Sequence, residues 1–100
     1  MIVLEGKNAP APTLFVEKRD GRRVLFDVDK IDRALHKAAD KVMDVTPLVE
    51  RRLNGLLEHI VAEIHSRFPQ GVKIYEIQNI VEHELLEAKE YALAEEYITY

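Results

Sequence analysis

The chain has 100 residues, of which 47% are hydrophobic and 32% are charged, a composition typical of one globular domain. It contains no cysteine, which excludes disulfides and thiolate metal sites, and no apolar run approaches the roughly 20 residues that span a bilayer. The net charge of −4 argues against a general nucleic-acid-binding surface. Since the N-terminus also lacks the long apolar region of a signal peptide, we expect a cytoplasmic location.

Residues 1–13 are expected to form a flexible leader. An apolar stub, Met1 to Leu4, is followed by a stretch that holds two prolines in three residues, Pro10 and Pro12. Because proline lacks a backbone N–H and has a fixed φ angle, this stretch suits neither a helix interior nor a central strand. The structured domain is expected over residues 14–100.

The first predicted element is a β-hairpin rich in positive charge. Alternation from Thr13 predicts one strand, Val24 to Phe26 predicts its partner, and Asp20-Gly21 between them is typical of a two-residue type I′ turn. From Lys18 to Arg33, six cations and four carboxylates leave a charge of +2, so the rest of the chain carries −6. This concentration of cations favours a pocket for a small phosphorylated ligand. The alternative is a solvated hairpin whose charges keep an edge strand from aggregating.

Two amphipathic helices follow the hairpin. The first has Asp27 as its expected N-cap and apolar residues at a spacing of 3.6, from Ile31 to Val42. The second begins at Thr46-Pro47 and continues to Phe68. Gly55, inside the second helix, suggests a close contact with another helix, because glycine otherwise costs stability there.

Two further helices complete the prediction. Val72 to Ile74 is a short extended run that either adds a third strand or leads directly into the third helix, which starts near Tyr75. A fourth helix, from Glu90 to Tyr100, carries two apolar stripes and is therefore expected to be buried on more than one side. The predicted fold is α+β: a four-helix bundle capped by a small, two- to three-stranded antiparallel sheet.

The sequence contains no recognisable catalytic or metal-binding motif. The four histidines form no His-Glu-x-x-His pattern, so no metal site is predicted. There is no nucleophile elbow, no phosphate-binding loop with a Walker lysine and no Gly-x-Gly-x-x-Gly. We therefore expect the domain itself to be non-catalytic.

Three short motifs, in order, resemble a known family. They are Val16-x-Lys18-Arg19-Asp20-Gly21 with Phe26-Asp27 and Lys30-Ile31; Val72-Lys73-Ile74-Tyr75-Glu76-Ile77-Gln78 with Val81-Glu82; and Ala94-Glu95-Glu96-Tyr97-Ile98-Thr99-Tyr100. Together they resemble the ATP-cone domain at the N-terminus of many ribonucleotide reductases, most of all the anaerobic (class III) ribonucleoside-triphosphate reductases. The resemblance covers about Leu14 to Tyr100.

The resemblance implies an allosteric site for ATP or dATP, with or without magnesium, that controls overall reductase activity. By this comparison, Lys18, Arg19 and Lys30 contact phosphates, which suits charge-assisted hydrogen bonds. An apolar slot for adenine would be formed by Val16, Ile31 and Ile74, with the segment from Val24 to Asp27 along its edge. The comparison also implies that Asp27 accepts a hydrogen bond from the adenine amino group and that Gln78 lies near the ribose or base.

The resemblance also implies partners and two alternatives. The partners are adenine nucleotides, the remainder of a reductase chain and its other subunits, in a nucleotide-dependent oligomer, with no nucleic acid and no membrane. One alternative is a degenerate cone that serves as a protein interaction module, because Ile74 and Val24 replace polar residues of some family members. The other is the cone of a transcriptional repressor of reductase genes, although such repressors carry a cysteine-rich zinc ribbon and this chain has no cysteine.

Overall fold

The computed structural model of the protein describes residues 14–99. The predicted leader and Tyr100 lie outside the described residues. The elements are, in chain order, β1 (Phe15–Glu17), β2 (Arg23–Leu25), α1 (Val28–Val42), α2 (Pro47–Arg67), β3 (Val72–Lys73), α3 (Ile74–Glu87) and α4 (Tyr91–Thr99). The α+β class and the four predicted helices are confirmed.

Side-chain caps begin the first two helices where the sequence predicts them. Asp27 precedes α1 and its Oδ1 accepts a hydrogen bond from the Asp29 N–H at 3.0 Å. Thr46 precedes α2 and its hydroxyl accepts from the Val49 N–H at 3.3 Å, with Pro47 in the first turn. These side chains satisfy backbone donors that have no partner inside the helix. Capping therefore fixes where each helix starts, and α1 starts at the end of the hairpin.

The three strands form a mixed sheet with β1 in the centre. β1 pairs with β2 in the antiparallel sense, and it pairs with β3 in the parallel sense. The predicted purely antiparallel sheet is therefore wrong. β3 follows β2 after two intervening helices and runs in the opposite direction to it, so it lies parallel to β1; a parallel pair requires a long connection of this kind rather than a hairpin. The run from Val72 both adds a third strand and leads directly into α3, so the two possibilities left open by the sequence occur together.

The hairpin turn also differs from the prediction. The Gly21 N–H donates to the Lys18 carbonyl at 2.9 Å and the Lys18 N–H donates to the Arg22 carbonyl at 2.8 Å, so the loop has three residues. Gly21 has φ +89°, whereas Asp20 does not adopt a positive φ. A type I′ turn requires positive φ at both positions, so the observed loop is instead the three-residue form with glycine at the bulge. Asp20 favours it because its carboxylate accepts from the Arg22 N–H at 3.0 Å.

The core lies between the inner face of the sheet and the four helices. Alternation along the strands places Val16 and Val72 on the inner face, where they join the buried residues of all four helices. The fully or nearly fully buried residues are Leu14, Val16, Ile31, Leu35, Ala38, Ala39, Leu53, Ile60, Ile64, Val72, Ile77, Ile80, Val81, Leu85, Leu93 and Ala94. One continuous core therefore holds the sheet and the helices together.

Two packing predictions for the helices have different outcomes. α4 packs against both α1 and α3, as its two apolar stripes suggest, but only one face is buried: Leu93 and Ala94 are buried, whereas Tyr91 and Ile98 are exposed. The close helix contact expected at Gly55 is wrong, because a Cβ built there would meet nothing within 4 Å. Within residues 14–99, no helix is both long and apolar enough to cross a membrane.

Candidate functional site

A cavity of about 150 Å³ lies between the inner face of the hairpin, the start of α1 and the start of α3. We call it the main cavity. Two short stretches at helix starts reach it: Asp27, Lys30 and Ile31 from α1, and Ile74 and Gln78 from α3. Since residues three and four apart lie on one face of a helix, each helix presents a single edge to the cavity. The residues that line it are Val16, Lys18, Val24, Leu25, Phe26, Asp27, Lys30, Ile31, Ile74, Ile77, Gln78 and Tyr97.

The structure brings eight of the nine residues predicted from the sequence to this one cavity. They are Val16, Lys18, Val24, Asp27, Lys30, Ile31, Ile74 and Gln78. The ninth, Arg19, does not line the main cavity. It lines two adjoining cavities, one of about 350 Å³ beneath the hairpin loop and one of about 390 Å³ beside α4, which we call the hairpin cavity and the α4 cavity.

The three cavities meet at a few shared side chains. Lys18, Ile74 and Gln78 line both the main cavity and the hairpin cavity, and Gln78 and Tyr97 line both the main cavity and the α4 cavity. Gln78 is thus the residue common to all three. Gln78 is therefore positioned to meet a ligand that extends from the main cavity toward either neighbouring cavity.

Apolar side chains form the walls of the main cavity. Val16 is 4% exposed and Ile31 is 6% exposed, so both belong to the core as well as to the cavity surface. Ile74 and Val24 are partly buried and pack against the same core. The Phe26 ring packs edge-to-face against the ring of His65 in α2, with the ring centroids 5.7 Å apart. These walls are therefore set by the packing of the core, and together they form the apolar part of the cavity, which we call the apolar slot.

Cations lie around the apolar slot. Lys18 extends from the hairpin loop and Lys30 from the first turn of α1, while Arg19 lies over the neighbouring cavities. Within residues 14–99, none of these three side chains forms an ion pair. The N-terminus of α1 adds its own preference for negative charge. The region combines an apolar slot with positive charge available at its rim.

Two carboxylates in this region are already engaged in local hydrogen bonds. Asp27 uses Oδ1 to cap α1, which leaves Oδ2 without a hydrogen bond among the described residues. In the hairpin loop, hydrogen bonds from the Arg22 backbone and guanidinium hold the pKa of the exposed Asp20 carboxyl below its usual value. Asp20 therefore stays ionised and paired with Arg22, so it does not neutralise Lys18 directly through an ion pair.

Ile77 and Tyr97 line the main cavity but are absent from the sequence prediction. Ile77 follows Ile74 by three residues, and this helical spacing is a signal that places it on the same face. Tyr97 comes from the other end of the chain, on α4, and only the tertiary fold brings it to the cavity. Burial raises the pKa of the Tyr97 phenol, and the negative charge of Glu82 raises it further, so the hydroxyl remains protonated.

A metal centre is not formed by the protein side chains in the described range. No group of three or more histidine, cysteine, aspartate or glutamate side chains within residues 14–99 is arranged to hold a metal ion. Asp27 is the single carboxylate among the residues that line the main cavity. A ligand of this cavity would thus meet two lysines, one carboxylate, one amide, one phenol and apolar side chains.

Curated relatives similar to this chain include reductase subunits and a transcriptional repressor. The ribonucleoside-diphosphate reductase subunit alpha of Chlamydia trachomatis is 41% identical over 95 residues, and that of Chlamydia muridarum is 40% identical over 95 residues. In both cases the match covers 88% of this chain and 9% of the relative, so the chain spans about a tenth of the length of these subunits. The transcriptional repressor NrdR of Carboxydothermus hydrogenoformans is 37% identical over 79 residues, which cover 79% of this chain and 49% of the repressor.

The profile of the ATP cone domain family matches residues 14–100. This range includes the hairpin, all four helices and every residue that lines the main cavity. Since the match extends over nearly the whole chain, the protein belongs to the ATP cone family.

Proposed function

We propose that this domain binds ATP or dATP in the main cavity and thereby regulates the overall activity of a ribonucleotide reductase. The observation that carries the proposal is the convergence of eight residues, selected from sequence motifs far apart in the chain, on one cavity with apolar walls and a cationic rim. The two reductase subunits that are about 40% identical over most of the chain support the assignment to a reductase.

In this proposal the adenine base occupies the apolar slot. Val16 and Ile31 form one part of its surface and Ile74 of α3 forms another, and a flat base buried there removes apolar area from water. The free Oδ2 of Asp27 accepts a hydrogen bond from the amino group of adenine. The Asp27 carboxylate would then accept hydrogen bonds from the first turn of α1 through Oδ1 and from the adenine base through Oδ2.

The phosphates lie at the cationic rim. Lys18 and Lys30 reach them from the main cavity, and Arg19 reaches them from the adjoining cavities on the other side of Lys18. Hydrogen bonds between these cations and phosphate oxygens are charge-assisted and so are stronger than neutral ones. The hairpin then acts as a lid over the nucleotide and the helices beneath it.

Magnesium accompanies the nucleotide in this proposal. Magnesium in nucleotide sites is usually bound by one or two carboxylates together with phosphate oxygens and water. Because Asp27 is the single carboxylate of the main cavity and is assigned to the base, the phosphates and water would supply the ligands of the ion. The domain itself contributes binding and no catalysis.

Regulation requires that ATP and dATP stabilise different states of the parent protein. A ligand that binds two states equally well does not shift their equilibrium, however tightly it binds. We propose that the two nucleotides favour different packings of the domain on the rest of the reductase chain or different oligomers, in the cytoplasm. The two reductase relatives are ribonucleoside-diphosphate reductase subunits, so the similarity to anaerobic triphosphate reductases stays a prediction.

The test is isothermal titration calorimetry of the 100-residue chain with ATP, dATP and GTP, each with magnesium. We expect micromolar or tighter binding of the two adenine nucleotides and no comparable binding of GTP. If a folded chain gives no heat with any of the three, the proposal is wrong and the degenerate cone that serves as an interaction module is the better explanation.

The second candidate is the cone of a reductase-gene repressor, favoured by the repressor that is 37% identical over 79 residues. This chain has no cysteine for the zinc ribbon expected of such proteins. Nucleotide binding alone does not separate the two candidates, since both use a cone. The open reading frame on either side of this sequence does: a cysteine-rich zinc-binding segment supports the repressor, and a reductase catalytic region supports the leading proposal.

A further inference from the structure

Tyr97 is the one residue of α4 that lines the main cavity. It also lines the α4 cavity, together with Gln78 of α3, so these two side chains are shared by both cavities. Its ring packs against the core, which fixes the position of the side chain. The hydroxyl makes no hydrogen bond with any residue from 14 to 99, and no buried polar atom in that range is left without a partner, so the hydroxyl is accessible.

The surroundings of Tyr97 indicate which part of a ligand it meets. The apolar slot of the main cavity suits a base, whereas the α4 cavity contains polar side chains from the hairpin loop and from α3, namely Arg19, Gln78 and Glu82. A nucleotide with its base in the slot extends its polar part toward such groups. Because burial and the nearby Glu82 carboxylate favour the neutral phenol, the Tyr97 hydroxyl is available as a hydrogen-bond donor.

We infer that Tyr97 contacts the bound nucleotide and that its hydroxyl donates a hydrogen bond to the ribose-phosphate part. This inference rests on the proposed function, because it needs a nucleotide in the main cavity. It adds a residue that neither the family match nor the sequence motifs assign to the site. It also connects α4, which packs against both α1 and α3, directly to the occupied site.

The variant Tyr97→Phe tests the inference, because it removes the hydroxyl and keeps the ring that packs on the core. The matched control is Tyr91→Phe on the same helix, since Tyr91 is 61% exposed and does not line the main cavity. We expect Tyr97→Phe to weaken ATP and dATP binding about three- to tenfold, the range typical of one hydrogen bond. Tyr91→Phe should bind like the wild type, and both variants should melt at nearly the wild-type temperature.

A spectroscopic measurement separates direct contact from a structural role. The ring signals of Tyr97, assigned in the NMR spectrum by their loss in Tyr97→Phe, should shift on addition of ATP, while those of Tyr91 should not. Wild-type affinity in Tyr97→Phe, or unchanged ring signals with saturating ATP, would overturn the inference while the proposed function stands. A wild-type chain that binds no nucleotide would overturn both.

Discussion

The cations around the main cavity and several basic side chains on the helices have different surroundings. Lys18, Arg19 and Lys30 have no carboxylate partner among the described residues. On the helices, by contrast, several basic side chains pair with carboxylates: Lys41–Glu96, Arg52–Glu90 and His36–Glu50 join different parts of the chain, and Arg67–Glu63 lies within α2. Basic residues of the same types are therefore unpaired at the main cavity and paired with carboxylates on the helices.

This difference shows which charges the fold itself uses. A paired cation between helices helps to fix the helix packing, although such pairs at the surface contribute only modestly to stability. An unpaired cation at a cavity rim contributes little to the free energy of unfolding and leaves its hydrogen bonds to water or to a ligand. Substitutions in the two regions should consequently separate binding from stability.

The largest expected effect is the loss of nucleotide affinity in Lys30→Ala. Removing one charge-assisted hydrogen bond to phosphate should cost about 1.5–3 kcal/mol, a roughly 10- to 150-fold loss of affinity. The free energy of unfolding should change by less than about 0.5 kcal/mol, because Lys30 is an exposed side chain. Calorimetric titration with ATP and urea denaturation measure the two quantities.

Lys41→Ala is the matched control, since Lys41 lies on the same helix and its Nζ is 3.5 Å from Glu96. It should leave the affinity for ATP unchanged and lower stability by at most about 1 kcal/mol. Equal losses of ATP affinity in Lys30→Ala and Lys41→Ala would show that the net charge of the domain, rather than the position of Lys30, controls binding. That result would contradict the proposed difference between the cavity cations and the helix cations.

Arg52→Ala should have the next largest effect, on stability alone. The Arg52 Nε donates to the Glu90 carboxylate at 3.1 Å, and the Glu90 side chain is only 15% exposed. Without Arg52 this mostly buried carboxylate loses its partner, which should cost about 1–2 kcal/mol of the free energy of unfolding measured in urea. The further change Glu90→Gln should recover part of the loss, because it removes the unpaired charge. ATP affinity should be unaffected, and a tenfold change would contradict the separation of the regions.

Two glycines extend the comparison from charges to the backbone. Gly21→Ala should destabilise the hairpin by about 1 kcal/mol, because φ +89° disfavours any residue with a Cβ, even though no atom lies within 4 Å of that position. Gly55→Ala, within α2 and equally free of contacts, should instead stabilise the protein by about 0.5–1 kcal/mol. Thermal unfolding of both variants checks the signs, and two changes of the same sign would show that the backbone explanation is wrong.

The smallest expected effect is a pH dependence at the contact between α1 and α2. The Nε2 of His36 is 2.7 Å from Glu50, and Nδ1 is 2.9 Å from the Asp32 carbonyl oxygen and 3.1 Å from its carboxylate. The hydrogen bond to Glu50 and then that to the Asp32 backbone raise the pKa of His36 above the usual histidine value of about 6.5. The contact therefore contributes its full stability below pH 6.5 and loses it as the pH rises through the higher pKa of the folded state.

The variant His36→Gln isolates this contribution. The difference in the free energy of unfolding between wild type and His36→Gln should be on the order of 0.5 kcal/mol larger near pH 6 than near pH 9. The other histidines are common to both proteins and cancel in the difference. A difference that is constant or grows with pH would contradict the assigned direction.

Local signals in the sequence predicted the elements and most of the site. Asp27 and Thr46 are caps because their side chains can satisfy free backbone donors in any tertiary context. Eight of the nine predicted cavity residues lie on two helix starts and one hairpin, where short spacing and family motifs carry the information. These features depend on neighbours in the sequence, and so they could be predicted from it.

Features that depend on distant parts of the chain were missed or wrong. The direction of β3 follows from the crossover through α1 and α2, which no local pattern encodes. Tyr97 reaches the cavity only because α4 packs on α1 and α3. The predicted turn type at Gly21 was wrong for a different reason. Asp-Gly suits both a two-residue and a three-residue hairpin loop, and the hydrogen bonds between Asp20 and Arg22 favour the three-residue loop.

The central position of β1 also has a consequence for how the domain folds. Val16 pairs with Val24 a short way along the chain and with Val72 much further along it. The hairpin can form early from local contacts, whereas the parallel pair must wait until a long loop has closed, and such non-local pairing slows folding. Ile74, Ile77 and Gln78 lie on α3, which follows that parallel pair directly, so this part of the cavity wall is assembled only at this late step. A nucleotide that contacts both this part and the hairpin would therefore bind the completed fold alone and would raise its stability in proportion to the logarithm of the ligand concentration.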